Sequence, residues 1–157
     1  MAIPNAGTAG AWIPVDGNYE SRVRASFERQ AAMRYIGARL VGLAPGACTL
    51  ELDCRAELTQ QHGYIHAGIV GTIVDSAGGY AGFTLFPADS EVLTVEFKLN
   101  LLSPASGERL TAVGEVVKAG RTLVITRGEV FAQTGGQRVL CAIMQQTLMV
   151  MHPRREQ

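Results

Sequence analysis

Apolar residues along this chain recur at different spacings, and each spacing predicts a different element. Between Tyr19 and Met33, Val23, Phe27 and the Gln30/Ala31 position fall one helical turn apart among Arg22, Arg24, Glu28 and Arg29, which predicts a short amphipathic N-terminal helix. From Tyr35 to Arg55 the pattern changes to alternation, broken by Leu-Ala-Pro-Gly-Ala at 43–47, so two strands joined by a hairpin are expected. A polar connection, LTQQHGY, leads into His66 to Phe83 (HAGIVGTIVDSAGGYAGF), which reads as a long helix. Four β-type runs follow, Glu91 to Leu102, Glu108 to Lys118, Thr122 to Ala132 and Gln137 to Met151. Their separators, Ser-Pro-Ala-Ser-Gly, Ala-Gly and Gln-Thr-Gly-Gly, are turn formers, so consecutive strands should pair antiparallel. One apolar helix cannot cover six strands of a flat sheet; the sheet should therefore curl around helix 66–83 in an α+β fold.

That helix has two unlike faces. At about 100° per residue, Gly68, Gly71, Gly78, Gly79 and Gly82 fall within about 60° of Asp75, with Thr72 beside them. Ile69, Val70, Ile73, Ala77, Tyr80 and Ala81 form the opposite, core-facing stripe. A helix-interior glycine costs about 1 kcal/mol against alanine, so something must approach the glycine face closely. A ligand beside Asp75 and a second copy of the helix are both admissible. In the strand at 93–101, Leu93, Val95, Phe97, Leu99 and Leu101 share one parity, and Thr94, Glu96, Lys98 and Asn100 the other. With the apolar parity turned to the helix, Thr94 would point away from its own Asp75 and could meet one only across a subunit contact.

Composition narrows the class. The chain has 157 residues, 47% of them hydrophobic, and its 14 Lys plus Arg balance 14 Asp plus Glu, which suits one ordinary globular domain and argues against general nucleic-acid binding. The expected organisation is an arm or lid over residues 1–18, anchored by Trp12, one domain over 19–151 and a tail over 152–157. No Lys or Arg occurs between Arg55 and Lys98, so an anionic partner would have to be held from elsewhere. Cys48, Cys54 and Cys141 cannot all pair within the chain, which fits a reducing compartment. The first residues lack a signal-peptide pattern and no stretch has the roughly 18 uninterrupted apolar residues of a membrane span, so a cytoplasmic location is expected.

Several residue groups in this order resemble one family. They are Gln-His-Gly-Tyr-Ile-His-Ala-Gly at 61–68, Asp75 nine residues after His66, Val-Leu-Thr-Val-Glu-Phe-Lys-Leu-Asn-Leu-Leu-Ser-Pro at 92–104, and Lys-Ala-Gly-Arg-Thr-Leu at 118–123. Together they resemble the phenylacetic-acid-degradation (PaaI-like) branch of the hotdog-fold acyl-CoA thioesterases, over roughly residues 35–150. The resemblance implies a curled antiparallel sheet wrapped around one central helix, homodimers usually assembled into homotetramers, an acyl-CoA substrate, no metal and no separate cofactor. It makes Asp75 the catalytic carboxylate, as general base or nucleophile. It assigns the carbonyl-polarising backbone N–H to Ala67, where the family usually has glycine, and the Gly68 N–H beside it is expected to hold the same carbonyl oxygen. Gln60, fifteen residues before Asp75, stands where many members have Asn and 4-hydroxybenzoyl-CoA thioesterases have Gln. Thr94 matches a Ser or Thr near the neighbouring subunit's carboxylate. Gly79 replaces the Thr that the 4-hydroxybenzoyl branch carries four residues after its carboxylate, a departure that weakens transfer of its aromatic substrate.

The chemistry suits these residues, since thioester hydrolysis needs a base for water and donors for an oxyanion, and a helix start offers unpaired N–H groups. Simpler roles stand beside each. Asp75 can be a solvated or hydroxyl-paired helix carboxylate, Gln60 a turn residue and Thr94 a plain β-former. His66 is a candidate base but is read first as a local hydrogen-bonding residue at the helix entry, and His62 with His66 has no third ligand for zinc. Lys118 and Arg121, flanking Gly120 at a tight turn, can hold coenzyme A phosphates or be solvated hairpin charges. Ser103 and Pro104 can line the nucleotide channel or simply form a turn. Two other functions share the scaffold: a non-catalytic acyl-CoA or lipid binder, and a hydratase or dehydratase, disfavoured because no second acid/base His follows Asp75 before His152.

Overall fold

The computed structural model describes residues 12–152. Two short helices, α1 (Tyr19–Arg29) and α2 (Ala31–Ile36), precede a hairpin of β1 (Arg39–Ala44) and β2 (Ala47–Asp53). A 3-10 turn (Ala56–Leu58) leads to the long helix α3 (Ala67–Phe83), followed by β3 (Glu91–Leu101), β4 (Arg109–Ala119), β5 (Leu123–Thr134) and β6 (Gln137–Met151). All strands pair antiparallel in one sheet of order β1-β2-β4-β5-β6-β3. Helix α3 packs against β2 through β6, so the sheet wraps it as expected. Val70, Ile73, Val74, Ala77 and Ala81 are sealed against Leu50, Leu52, Leu110 and Leu148.

The expected first helix over 19–33 is in fact two. Gln30 takes an extended backbone (φ −71°, ψ 101°) with no Pro or Gly to force it, and its side-chain amide donates to Tyr80 Oη at 2.9 Å, so a tertiary contact breaks the helix. From α1, Arg22 donates to Asp16 and to the carbonyls of Phe83 and Phe86 and lies over the Phe83 ring. This positive charge at the end of α3 satisfies carbonyls that the helix leaves open. At the β1–β2 turn, Gly46 has φ 76° and the Trp12 ring lies over it, so Trp12 does anchor the start of the described chain. The remainder of the expected arm and the tail (1–11 and 153–157) lie outside the described residues.

The parity assigned to β3 is overturned. Thr94 pairs with Leu148 and Glu96 with Thr147, so Val95 is an extra residue in a β-bulge. A bulge reverses which parity faces inward. Ahead of it, Val92 and Thr94 face α3, while Leu93 and Val95 are about half exposed on the outer surface. Behind it, Phe97, Leu99 and Leu101 oppose Gln146, Met144 and Ala142 on the inner face. Thr94 therefore meets the Asp75 of its own chain.

Candidate active site

Chemistry-bearing groups gather at two places along α3. At its start, His66 is the N-cap residue (φ −58°, ψ 137°), and its Nδ1 accepts a hydrogen bond from the Gly68 N–H at 2.9 Å. The N–H groups of Ile69 and Val70 bond to the His66 carbonyl. Gly68 is thus committed to the cap and not free to hold a carbonyl oxygen as expected, whereas Ala67, the first helical residue, keeps an N–H with no carbonyl one turn behind it. This arrangement gives His66 the local hydrogen-bonding role expected of it. Around this end lies a cavity of about 480 Å³ lined by Gln60, Tyr64, His66, Ala67, Ser103 and Pro104, among others. Gln60 Oε1 accepts from the His62 N–H, which closes the turn and holds the rest of the amide at the cavity.

The second place is Asp75, half-buried two turns further on. Thr94 Oγ1 donates to Asp75 Oδ1 at 2.8 Å. Gln146, only 1% exposed on β6, directs Nε2 at the same Oδ1, at Thr94 Oγ1 (3.0 Å) and at the main-chain carbonyl of Asp75 (3.1 Å). Behind it, Thr126 Oγ1 donates to Gln146 Oε1 at 2.8 Å. In front of the carboxylate is a cavity of about 330 Å³ lined by Gln30, Asp75, Ser76, Gly79, Tyr80, Val92, Leu93 and Thr94. Tyr80 is held by Gln30 and Ser26, and burial pushes its phenol above the usual range, so it stays protonated.

The glycine face divides at Asp75. On one side of it, a methyl group at Gly78 would collide with Gln146 Oε1, one at Gly82 would collide with Leu148, and Gly71 sits by Leu99. These three close gaps against the chain's own sheet, a reason not anticipated from the sequence. On the other side, Gly79 has open space where a Cβ would stand, and Gly68 faces only His66.

Of the residues singled out by sequence, the structure joins Thr94 to Asp75, and separately Gln60, His66, Ala67, Gly68, Ser103 and Pro104. Lys118, Gly120 and Arg121 are exposed at the β4–β5 turn. Through Leu123, Met149 and Leu93 this turn adjoins the Asp75 end of the sheet. Ser103, bonded to the Cys141 carbonyl, lies near the other end. Gln146, Thr126 and Gln30 were missed. For Gln146 a signal exists, because it is the one polar side chain on the inner parity Met144, Gln146, Leu148, Val150.

The sequence model of the thioesterase superfamily matches residues 62–139, which include His66, Ala67, Asp75, Thr94 and Thr126 but not Gln60 or Gln146. A thioesterase family protein of known structure from Silicibacter pomeroyi is 47% identical, with a TM-score of 0.85 over 86% of this chain and 99% of that one. This chain belongs to the thioesterase superfamily. Among thioesterase relatives, human acyl-coenzyme A thioesterase 13 is 28% identical over 101 residues, 64% of this chain and 71% of that protein. The PaaI protein of the E. coli phenylacetic acid degradation operon, 18% identical with a TM-score of 0.75 over 84% and 92% of the two chains, shares the thioesterase hotdog fold. In this thioesterase-superfamily chain, no helix among the described residues is long and apolar enough to cross a membrane.

Proposed function

We propose that the chain hydrolyses acyl-CoA thioesters, with Asp75 as the base that takes a proton from water. The observation that carries this reading is a half-buried carboxylate, held through one oxygen by Thr94 and Gln146, opening on a cavity in a thioesterase-superfamily chain. The hydroxide so formed attacks the thioester carbonyl carbon; the oxyanion is held by the Ala67 N–H, and its collapse expels the CoA thiolate.

Distance along the helix argues for two chains per site. Ala67 and Asp75 are eight residues apart, about 12 Å of helix axis, so one carbonyl group cannot meet both ends of the same helix at bonding distance. The eleven-residue β3 ends the sheet order, and Leu93, Val95, Phe97 and Leu101 are about half exposed along it. An antiparallel β3–β3 pairing about a twofold axis would cover that edge and set two helices side by side in opposite directions. The helix start of one chain then completes the site at Asp75 of the other. Lys118 and Arg121, near the Asp75 end, would take the coenzyme A phosphates, and Gln60 would steady the thioester or the water.

The test is release of free thiol from a panel of acyl-CoAs by the parent and by Asp75→Asn. The variant should lose about 10²–10⁴-fold in kcat while remaining folded. Parent-like thiol release by Asp75→Asn would refute the reading, as would acyl-CoA binding by the parent with no thiol release at all.

A further inference from the structure

We propose that Gln146 and Thr126 form a positioning relay that fixes which oxygen of Asp75 does the chemistry, an inference that rests on the reading of Asp75 as the base. Neither residue reaches the cavity in front of the carboxylate, for Gln146 is 1% exposed and Thr126 fully buried. A primary amide is nearly symmetric and can present either its oxygen or its nitrogen, so something must choose. Here the acceptor-only carboxylate and helix carbonyl of Asp75 make the choice, and Thr126, whose hydroxyl can donate or accept, answers it from behind. The Thr126 hydroxyl donates to Gln146 Oε1, which leaves Nε2 facing forward onto Asp75 Oδ1, the Asp75 carbonyl and Thr94 Oγ1. With the amide reversed, Oε1 would stand against the carboxylate and the helix carbonyl, three oxygens in a closed space.

The site is built around this amide. Gly78 provides its seat, because a methyl group there would collide with Oε1 and stand 2.9 Å from Thr126 Oγ1. Two strands thus converge on one oxygen of the helix, Thr94 from β3 and Gln146 from β6, and Thr126 from β5 backs Gln146. Oδ1 accepts from both Thr94 and Gln146, so its lone pairs are engaged. Oδ2 receives no side-chain donor among the described residues and is the atom that takes the proton from water. The helix-carbonyl bond adds a second restraint, tying the Gln146 amide to the backbone of the residue it orients.

Four variants test the relay: Gln146→Met, close in volume but without hydrogen bonds; Thr126→Val, which removes only the hydroxyl; Thr126→Ser, which restores it; and Asp75→Asn. Gln146→Met should lower kcat by about 10²-fold, the scale of losing reactive alignment. Thr126→Val should lower it by about 10-fold although it touches neither Asp75 nor the cavity, with KM changed less than about 2-fold in both. Thr126→Ser should recover most of the turnover.

A second readout needs no turnover. In the parent, one glutamine side-chain NH₂ pair, identified by its absence in Gln146→Met, should exchange slowly with solvent. It should move in Asp75→Asn, broaden in Thr126→Val and return in Thr126→Ser. Should Asp75→Asn be inactive while Gln146→Met and Thr126→Val keep the parent's kcat, the relay falls and Asp75 stands as the base. Free exchange of the Gln146 amide, or its indifference to Asp75→Asn, overturns the relay whatever the activity.

Discussion

Adjacent glycines on α3 should respond to the same substitution with opposite signs. Alanine in a helix interior is worth about 1 kcal/mol over glycine, and that gain is available at both Gly78 and Gly79. At Gly78 it is outweighed. The new methyl would enter the space of Gln146 Oε1, 2.9 Å from Thr126 Oγ1, in a closed core. Overpacking of this kind costs about 1–3 kcal/mol, and displacing Gln146 leaves buried polar groups unpaired at about 1–3 kcal/mol more. Gly78→Ala should therefore be destabilised by about 1–5 kcal/mol net, a fall in Tm of roughly 2–20 °C for a chain of this size. At Gly79 the methyl meets open space, so Gly79→Ala should keep the helix gain and raise Tm by roughly 2–4 °C. Thermal unfolding followed by helix circular dichroism, at matched protein concentration because association adds to apparent stability, reads both. A Gly78→Ala protein at or above the parent's Tm would refute the packing argument. A Gly79→Ala protein that falls as far as Gly78→Ala would mean that the open face is occupied, as a second helix would occupy it.

Three further outcomes can be checked. Ala67→Pro removes the unpaired N–H while placing proline at the first helical position, where it is well tolerated, after a His66 backbone already suited to it. It should cost about 10²–10³-fold in kcat with little change in helix content, and mixing it with Asp75→Asn after subunit exchange should restore about a quarter of parental activity, since half the dimers then hold one intact site of two. Hydrogen bonds from Arg39 and Arg109 hold the Asp53 carboxyl down at about 2, so its contribution is present above the unfolded value of about 4 and is lost as pH falls from there towards 2. Asp53→Asn should flatten that part of a Tm-against-pH curve, and high salt should shrink the difference because the pair is exposed. Burial pushes the Cys48 thiol up to about 12 and Cys141 to about 11, so mass-spectrometric mapping after iodoacetamide should find Cys54 labelled first in the native protein.

Element order and the enclosing of α3 were legible because alternation, turn residues and helical spacing are local properties of the chain. Asp75 was legible because a lone acid among glycines is unusual in any helix. What escaped was set by contacts distant in sequence. The break at Gln30 comes from Tyr80, fifty residues on, and no local breaker marks it. The bulge at Val95 sits in a run whose strict alternation argues for an unbroken strand, and it arises where β3 must pair with β6 while Thr94 closes on Asp75. Gln146 carried a polar letter on an apolar parity, but its meaning depended on Thr126 and Gly78, neither of which can be placed beside it without the fold.

The extra residue at Val95 gives this strand one residue of slack. Substitutions along 91–95 change one side chain at a time, whereas deleting Val95 would make Thr94 and Glu96 direct neighbours opposite Leu148 and Thr147, and Thr94 would keep its inward face. A scan of one-residue deletions across β3, beside a conventional alanine scan, would reveal that slack as a Thr94–Asp75 contact that survives loss of Val95 but not loss of Thr94.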